Sequence, residues 1–149
     1  IHLNISIDSL IPKRYEEIRI NGKFDVLMSN FEIFKKYCHD NNRELAIMVN
    51  PMNMNWQEMP EFVRFTQWHV CNLWFNTILY PAHVTIKNMK PKEITKIIDY
   101  YRNELSKLQK HKNAHVLANL ITQLEGWCLD AMDETPIKMY DEYGSIIHD

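Results

Sequence analysis

The chain has 149 residues, of which 46% are hydrophobic and 24% are charged, and its formal net charge at pH 7 is -2. This length and composition suffice for one globular domain with a hydrophobic core, and argue against an intrinsically disordered chain. The small negative charge argues against binding to nucleic acid or to an anionic membrane, because both need lysines and arginines clustered on one face.

The first predicted element is a strand with two unlike faces. Apolar and polar residues alternate over Leu3–Asp8, which is the period of two that such a strand requires. Its polar face carries Ser6 and Asp8. A short helical turn is predicted at Tyr15–Arg19, and the apolar spacing over Phe24–Cys38 predicts an amphipathic helix.

Two further strands follow, with a helix between them. Leu45–Val49 is short, apolar and bounded by polar residues, which is typical of a strand buried on both faces. Asn55 and Glu58 resemble a helix start, and apolar residues continue the helix to Phe65. Cys71–Tyr80 is the third predicted strand. This alternation of strands and helices predicts right-handed β-α-β units and a parallel sheet.

The character of the sequence changes after Pro91. Helical apolar spacing predicts one helix over residues 94–105 and a second over 116–127. The stretch from Asp130 is acidic and contains Pro136 and Gly144, which favours a partly extended chain. The sequence therefore predicts an α/β unit over residues 1–90 and a helical C-terminal extension over 91–149.

Polar residues follow the predicted strands at one edge of the sheet. Ser6 and Asp8 end the first strand, Arg19 lies on the next short helix, and asparagine-rich loops follow the later strands. Ligands of α/β proteins bind beyond the carboxyl ends of parallel strands, so these positions predict a binding site. Position alone assigns it no reaction.

Three motifs resemble segments of the radical S-adenosylmethionine (radical SAM) enzymes of the peptide-maturase type. Their order along the chain carries the resemblance, which covers roughly the first two thirds of the sequence. The motifs are Ile5–Asp8 with Tyr15–Arg19, Phe24–Leu27 and Asn30, then Asn55–Val63, and then Phe75–Asn76 with Tyr80–Pro81.

The resemblance implies that the chain is the second half of a radical SAM barrel, a partial (β/α) barrel of about three parallel strands. It implies that Ser6 faces the ribose or methionyl group of SAM, and that Arg19 holds the SAM carboxylate through its planar donor fork. Asp8 would orient its neighbours rather than react. The mouth of the cofactor and substrate site would be lined by the loop from Asn50 to Asn55, which includes Asn53, and by Asn76.

The chain departs from the family pattern in two places. Ser9 stands where the family usually has glycine. The three closely spaced cysteines that hold the family's [4Fe-4S] cluster have no counterpart, because Cys38, Cys71 and Cys128 lie far apart. We therefore expect the cluster to be held by a missing N-terminal half, and this chain to be inactive alone. Ile1 is not an initiator methionine, which also suggests a piece of a longer protein.

Cellular context and partners follow from the same features. Widely spaced cysteines fit free or buried thiols in a reducing compartment, and no apolar run approaches the roughly 20 residues that span a bilayer, so we expect a cytoplasmic protein. We expect the substrate to be a peptide or a small molecule. A half barrel leaves a strand edge unpaired, so we expect the chain to pair with another copy or to cover that edge with its C-terminal helices.

Each candidate site residue also has a structural interpretation. Ser6 and Asp8 fit a solvent-facing strand, Arg19 fits a surface ion pair with Glu16, and Asn53 and Asn55 fit turn or helix-cap positions. Two alternative functions stay open: a non-catalytic interaction module with a helical tail, and a different α/β enzyme with Asp8 as general acid or base. The pairs His69 with Cys71 and His111 with His115 are weak candidates for metal ligands.

Overall fold

Residues 2–133 are described by a computed structural model, and they form a three-stranded parallel sheet with five α-helices. The strand order is β1-β2-β3, with both neighbouring pairs parallel. The strands are β1 His2–Ser6, β2 Glu44–Val49 and β3 Asn72–Phe75. The helices are α1 Pro12–Ile18, α2 Phe24–Asp40, α3 Met59–His69, α4 Pro91–Leu108 and α5 Ala114–Asp133.

The predicted α/β class with three parallel strands is confirmed, and several predicted boundaries are corrected. Strand β1 ends at Ser6, so Asp8 belongs to the loop that follows. Strand β3 has four residues and ends at Phe75 instead of Tyr80. Pro12 occupies the first turn of α1, where the missing N–H of proline costs no helical hydrogen bond. Asp130 lies within α5, while Pro136 and Gly144 lie outside the described residues.

The two faces of the sheet differ. Side chains of Ile7, Ile47 and Leu73 are buried in the core, on the face that the apolar residues of all three strands share. Helices α2 and α3 contact the strands, and their Phe31 and Phe62 are fully buried in the same core. The opposite face carries Asn4 and Ser6 on β1, which are exposed, beside Ala46 and Met48 on β2 and Asn72 and Trp74 on β3.

The last two helices pack onto this unit. Helix α4 contacts α3, and α5 contacts α3 and β3. The fully buried Tyr101 of α4 donates its hydroxyl to the carbonyl oxygen of Trp56 at 2.7 Å, which fixes α4 against the loop after β2. Both helices contribute residues such as Ile97 and Leu117 to the same hydrophobic core as the sheet.

No helix within residues 2–133 combines the length and the apolar character needed to cross a membrane.

Val70 holds the left-handed backbone conformation that ends α3, with φ 57° and ψ 49°. Its side chain is 80% exposed, so few packing contacts offset the steric cost of a β-branched residue in this conformation. We expect Val70→Asn to raise the free energy of unfolding by about 1 kcal/mol, since asparagine tolerates this conformation. Urea denaturation followed by circular dichroism measures the change.

Ile20→Asn is the matched control. Ile20 is equally exposed but has no positive φ, so its substitution should change the free energy of unfolding by less than about 0.5 kcal/mol. Equal effects of the two substitutions would contradict the assignment of strain to Val70.

Candidate functional site

Asp8 is the centre of a polar cluster at the carboxyl end of the sheet. It is 2% exposed, and each of its carboxylate oxygens accepts a hydrogen bond. Oδ2 accepts from Nε of Arg19 at 2.8 Å, and Oδ1 accepts from the backbone N–H of Asn50 at 3.1 Å. The carboxylate therefore joins the helix after β1 to the loop after β2. With both oxygens engaged, Asp8 is poorly placed to act as a general acid or base.

Arg19 is held at one edge of its guanidinium group and open at the other. Its side chain is 43% exposed, and its ion pair is with Asp8, so the alternative pairing with Glu16 is wrong. Within residues 2–133, the two terminal Nη groups make no hydrogen bond, and they form the edge that can bind a carboxylate with two parallel bonds. Because Asp8 fixes the Nε edge, the free edge is presented in one orientation.

Asn55 connects the first two strand ends. Its side chain is fully buried, and its Nδ2 donates to the carbonyl oxygens of Asp8 at 2.7 Å and Asn50 at 3.0 Å. Its Oδ1 accepts from the backbone N–H of Met52 at 2.7 Å. Asn55 occupies the N-cap position of the 3-10 turn Trp56–Glu58, as the helix-cap interpretation predicted, but its side chain makes no capping hydrogen bond there. Asn55 is a structural bridge within the site.

The other predicted asparagines fall into two groups. Asn76 donates its Nδ2 to Oδ1 of Asn50 at 3.1 Å, which brings these two residues into the Asp8 cluster. Asn53 instead donates its Nδ2 to the carbonyl oxygen of His83 at 2.7 Å, and so holds the loop that follows β3. Ser6 is exposed on the uncovered face of the sheet, and its side chain makes no hydrogen bond with residues 2–133.

Glu58 is a part of the site that the sequence prediction missed. It is 5% exposed and accepts three hydrogen bonds, two from the β1-to-α1 connection and one from α1. Its donors are the hydroxyl of Ser9 at 2.6 Å, the backbone N–H of Leu10 at 2.8 Å and Nη1 of Arg14 at 2.9 Å. Glu58 therefore holds the loop that carries Asp8, and it also occupies the N-cap position of α3, at the helix start that the sequence predicted.

The Ser9 hydroxyl makes bonds that a glycine at this position could not make. Besides donating to Glu58, it accepts from the backbone N–H of Ile11 at 3.0 Å. A glycine would supply neither bond. The sequence alone did not single out Glu58, because Glu61 is a second carboxylate in the same stretch and is exposed.

Of the weak metal candidates, the pair His69 and Cys71 lies at the opposite end of the sheet. Within residues 2–133, no three histidine, cysteine or acidic side chains are grouped so as to hold a metal ion. His69 and Cys71 line a cavity of about 340 Å³ beside the first residues of β2 and β3. Burial lowers the pKa of His69, whose Nδ1 lies 2.9 Å from Nζ of Lys35. Burial also raises the pKa of the Cys71 thiol to about 11, so this thiol is protonated and unreactive at neutral pH.

No match to this chain is found among protein-family models, curated proteins or solved structures.

We expect Asp8→Ala to lower the free energy of unfolding by about 2 kcal/mol, because it leaves two hydrogen-bond donors without an acceptor. Asp8→Asn keeps one acceptor oxygen, so its effect should be about half as large. Asp99→Ala removes an exposed carboxylate from α4 and serves as control, with an expected change below about 0.5 kcal/mol. Urea denaturation measures all three. An Asp8→Ala chain as stable as the control would contradict the central role of this carboxylate.

Proposed function

We propose that this chain is the second half of a radical SAM barrel and that it contributes part of the SAM pocket and part of the substrate-facing wall. The observation that carries the proposal is the Arg19 guanidinium, fixed by buried Asp8 and open along its Nη edge at the carboxyl end of a parallel sheet. This is the end at which parallel α/β folds bind their ligands.

The chemistry of Arg19 fits the amino-acid end of SAM. A guanidinium binds a carboxylate best through two parallel N–H···O bonds, and the Nη edge offers both donors. Asp8 reduces the rotational freedom of Arg19, so less conformational entropy is lost when a ligand carboxylate binds. We assign the carboxylate of SAM to Arg19. We assign the surrounding mouth to Asn50, Asn53 and Asn76, and the ribose or methionyl side to Ser6, while Asp8 orients Arg19.

The uncovered face of the sheet supports the assignment to a partial barrel. All-parallel sheets are normally covered on both faces, and here Ser6 and Trp74 are exposed on the face opposite the helices. In a closed barrel this face would point inward. We propose that it forms the inner wall, with Trp74 and Met48 directed at the substrate.

The reductive chemistry is assigned to residues outside this sequence. In a radical SAM enzyme a [4Fe-4S] cluster supplies the electron that cleaves SAM, and the resulting radical removes a hydrogen atom from the substrate. Cys38, Cys71 and Cys128 are buried and free, and none lies near another cysteine in sequence. The chain is therefore proposed to bind and orient, without catalysing the reaction alone. Free thiols also support the proposed cytoplasmic location.

A non-catalytic interaction module is the second candidate function. It is favoured by Leu129 and Met132, two large apolar side chains that are exposed near the end of α5. In this function the helical tail would bind a partner and the Asp8 cluster would only stabilise the fold. Binding of SAM discriminates between the two candidates.

We expect the chain to bind SAM weakly, since half of the pocket is absent, and two-dimensional NMR titration can measure such binding. Arg19→Met should raise the dissociation constant for SAM about tenfold or more, because it removes a charge-assisted contact with the carboxylate. Arg43→Met, at the opposite end of the sheet, is the matched control and should change it little.

Methylthioadenosine separates carboxylate recognition from other effects of Arg19→Met. It keeps the adenosine and S-methyl parts of SAM but lacks the sulfonium charge and the amino-acid end with its carboxylate, so its binding should be nearly equal in the unmodified chain and in Arg19→Met. An unmodified chain that does not bind SAM, or equal SAM binding by Arg19→Met and Arg43→Met, would contradict the proposal. The first of these results would favour the interaction module.

A further inference from the structure

We propose that the cavity at the amino end of the sheet binds a phosphate group, either free or carried by a small organic molecule. This basic cavity has a volume of about 340 Å³ and contains three cationic side chains from separate segments. Lys35 lies on α2, Arg43 in the loop between α2 and β2, and Lys112 in the loop between α4 and α5. The site goes beyond the SAM-binding proposal and does not depend on it.

The charge of the basic cavity is opposite in sign to that of the whole chain. Its lining carries three cationic side chains and one carboxylate, whereas the chain has a formal net charge of -2. The carboxylate is that of Glu44, which is 65% exposed and whose Oε2 lies 3.0 Å from Nδ1 of His2. A concave surface in which one sign of charge predominates raises the local concentration of the opposite ion, so this cavity favours an anion.

Arg43 differs from the other arginines of the chain in its lack of an acidic partner. Within residues 2–133, its guanidinium makes no ion pair and no hydrogen bond, although its backbone N–H donates to the carbonyl oxygen of Cys38 at 2.8 Å. A guanidinium binds a phosphate through two parallel N–H···O bonds. The arginines that pair with a carboxylate are Arg14, Arg19, Arg64 and Arg102.

Lys35 is held in place without losing its charge. Its Nζ lies 2.9 Å from Nδ1 of His69. Burial, and next the charge of Lys35, lower the pKa of His69, so the ring is neutral at pH 7 and its Nδ1 accepts a hydrogen bond from the ammonium group. An ammonium group has three N–H donors, and two therefore remain for a ligand.

Lys112 belongs to a loop that is anchored to α3 and to the start of β3. Its backbone N–H donates to Oε1 of Gln67 at 2.8 Å. The next residue, Asn113, is buried and donates its Nδ2 to Oγ1 of Thr66 and to the carbonyl oxygen of Cys71, both at 2.9 Å. The Lys112 ammonium makes no ion pair with the described part of the chain. Helix α5 begins immediately after Asn113, so the positive end of its dipole lies beside Lys112.

The cations are not used to satisfy the ends of α2 and α3. Both helices end at this side of the sheet, where lysine and arginine side chains often bind the last carbonyl oxygens of a helix. Here those oxygens accept from backbone groups, as Cys38 does from Arg43 and Thr66 does from the N–H of Cys71 at 2.9 Å. Within residues 2–133, no lysine or arginine side chain donates to either helix end, so the cationic groups stay available.

The donors of the basic cavity favour a phosphate over a carboxylate. A phosphate monoester carries about two negative charges at pH 7 and three acceptor oxygens, which suits one guanidinium and two ammonium groups. The volume lies at the lower end of the range for small-molecule pockets, roughly 300–1,000 Å³, and exceeds what one phosphate fills. Buried Leu45 and Cys71 also line the cavity, and they offer apolar surface to an organic group.

Two-dimensional NMR titration with glucose 6-phosphate and with inorganic phosphate tests the site, and glucose is the uncharged control. We expect both phosphates to shift the amide signals of Arg43, Cys71 and Lys112, and glucose to shift none of them. Tighter binding of glucose 6-phosphate supports a site for phosphorylated small molecules. Equal binding of the two supports a site for free phosphate.

Arg43→Met should raise the dissociation constant for glucose 6-phosphate about tenfold or more, because it removes a charge-assisted double contact. Arg43→Lys keeps the charge without the planar fork, so its effect should be smaller. Lys96→Met is the matched control, since it removes one positive charge from an exposed position on α4, and it should change the dissociation constant less than about twofold. Circular dichroism verifies that the three variants fold.

The inference would be overturned if neither phosphate bound, if glucose bound as well as glucose 6-phosphate, or if Arg43→Met and Lys96→Met bound the ester equally. The SAM titration succeeds or fails independently of these results. SAM has no phosphate group, and Arg19 lies at the carboxyl end of the strands, away from the basic cavity.

Discussion

The carboxylate of Asp8 is the interaction on which the rest of the site depends. It is buried, and a buried carboxylate is tolerated only where hydrogen bonds and an opposite charge replace its hydration. Arg19 and the N–H of Asn50 provide both. As a result, three chain segments that are distant in sequence meet at one end of the sheet, and the direction in which Arg19 presents its free edge is fixed.

A second buried carboxylate, that of Glu58, supports the loop that carries Asp8. Glu58 binds Ser9 and Arg14, so the connection that carries Asp8 is held from the α3 side as well. Asn55 adds neutral hydrogen bonds between the strand ends. Within residues 2–133, no buried side-chain nitrogen or oxygen lacks a partner, which indicates that this polar region is complete as a structural unit. The Arg19 side chain is 43% exposed, and its Nη groups make no hydrogen bond with these residues, so they remain available to a ligand.

Much of the fold could be predicted because strands and helices follow from local periodicity. The alternation after Leu3 and the apolar run at Leu45–Val49 identified two strands, and the spacing after Pro91 identified α4 and α5. The predicted ends of the strands were less accurate, because a strand ends where its hydrogen bonds to the neighbouring strand end. For β3, the last of these is the bond from the N–H of Asn76 to the carbonyl oxygen of Val49, which no pattern within the strand itself records.

The candidate site was predicted only in part, and for a related reason. The positions of Asp8, Arg19, Asn50 and Asn76 followed from the rule that parallel strands carry their sites at the carboxyl ends, and these four residues are joined by hydrogen bonds. Glu58 was missed because its partners lie more than 40 residues away. A local helix-start pattern gave it another explanation.

The loop after β2 connects the Asp8 cluster to the C-terminal helices. Its Asn50 donates a backbone hydrogen bond to Asp8, and the carbonyl oxygen of Trp56 accepts from Tyr101 of α4. A shift of α4 would therefore be transmitted to the carboxylate that holds Arg19, and a ligand bound at Arg19 would in turn favour one position of α4.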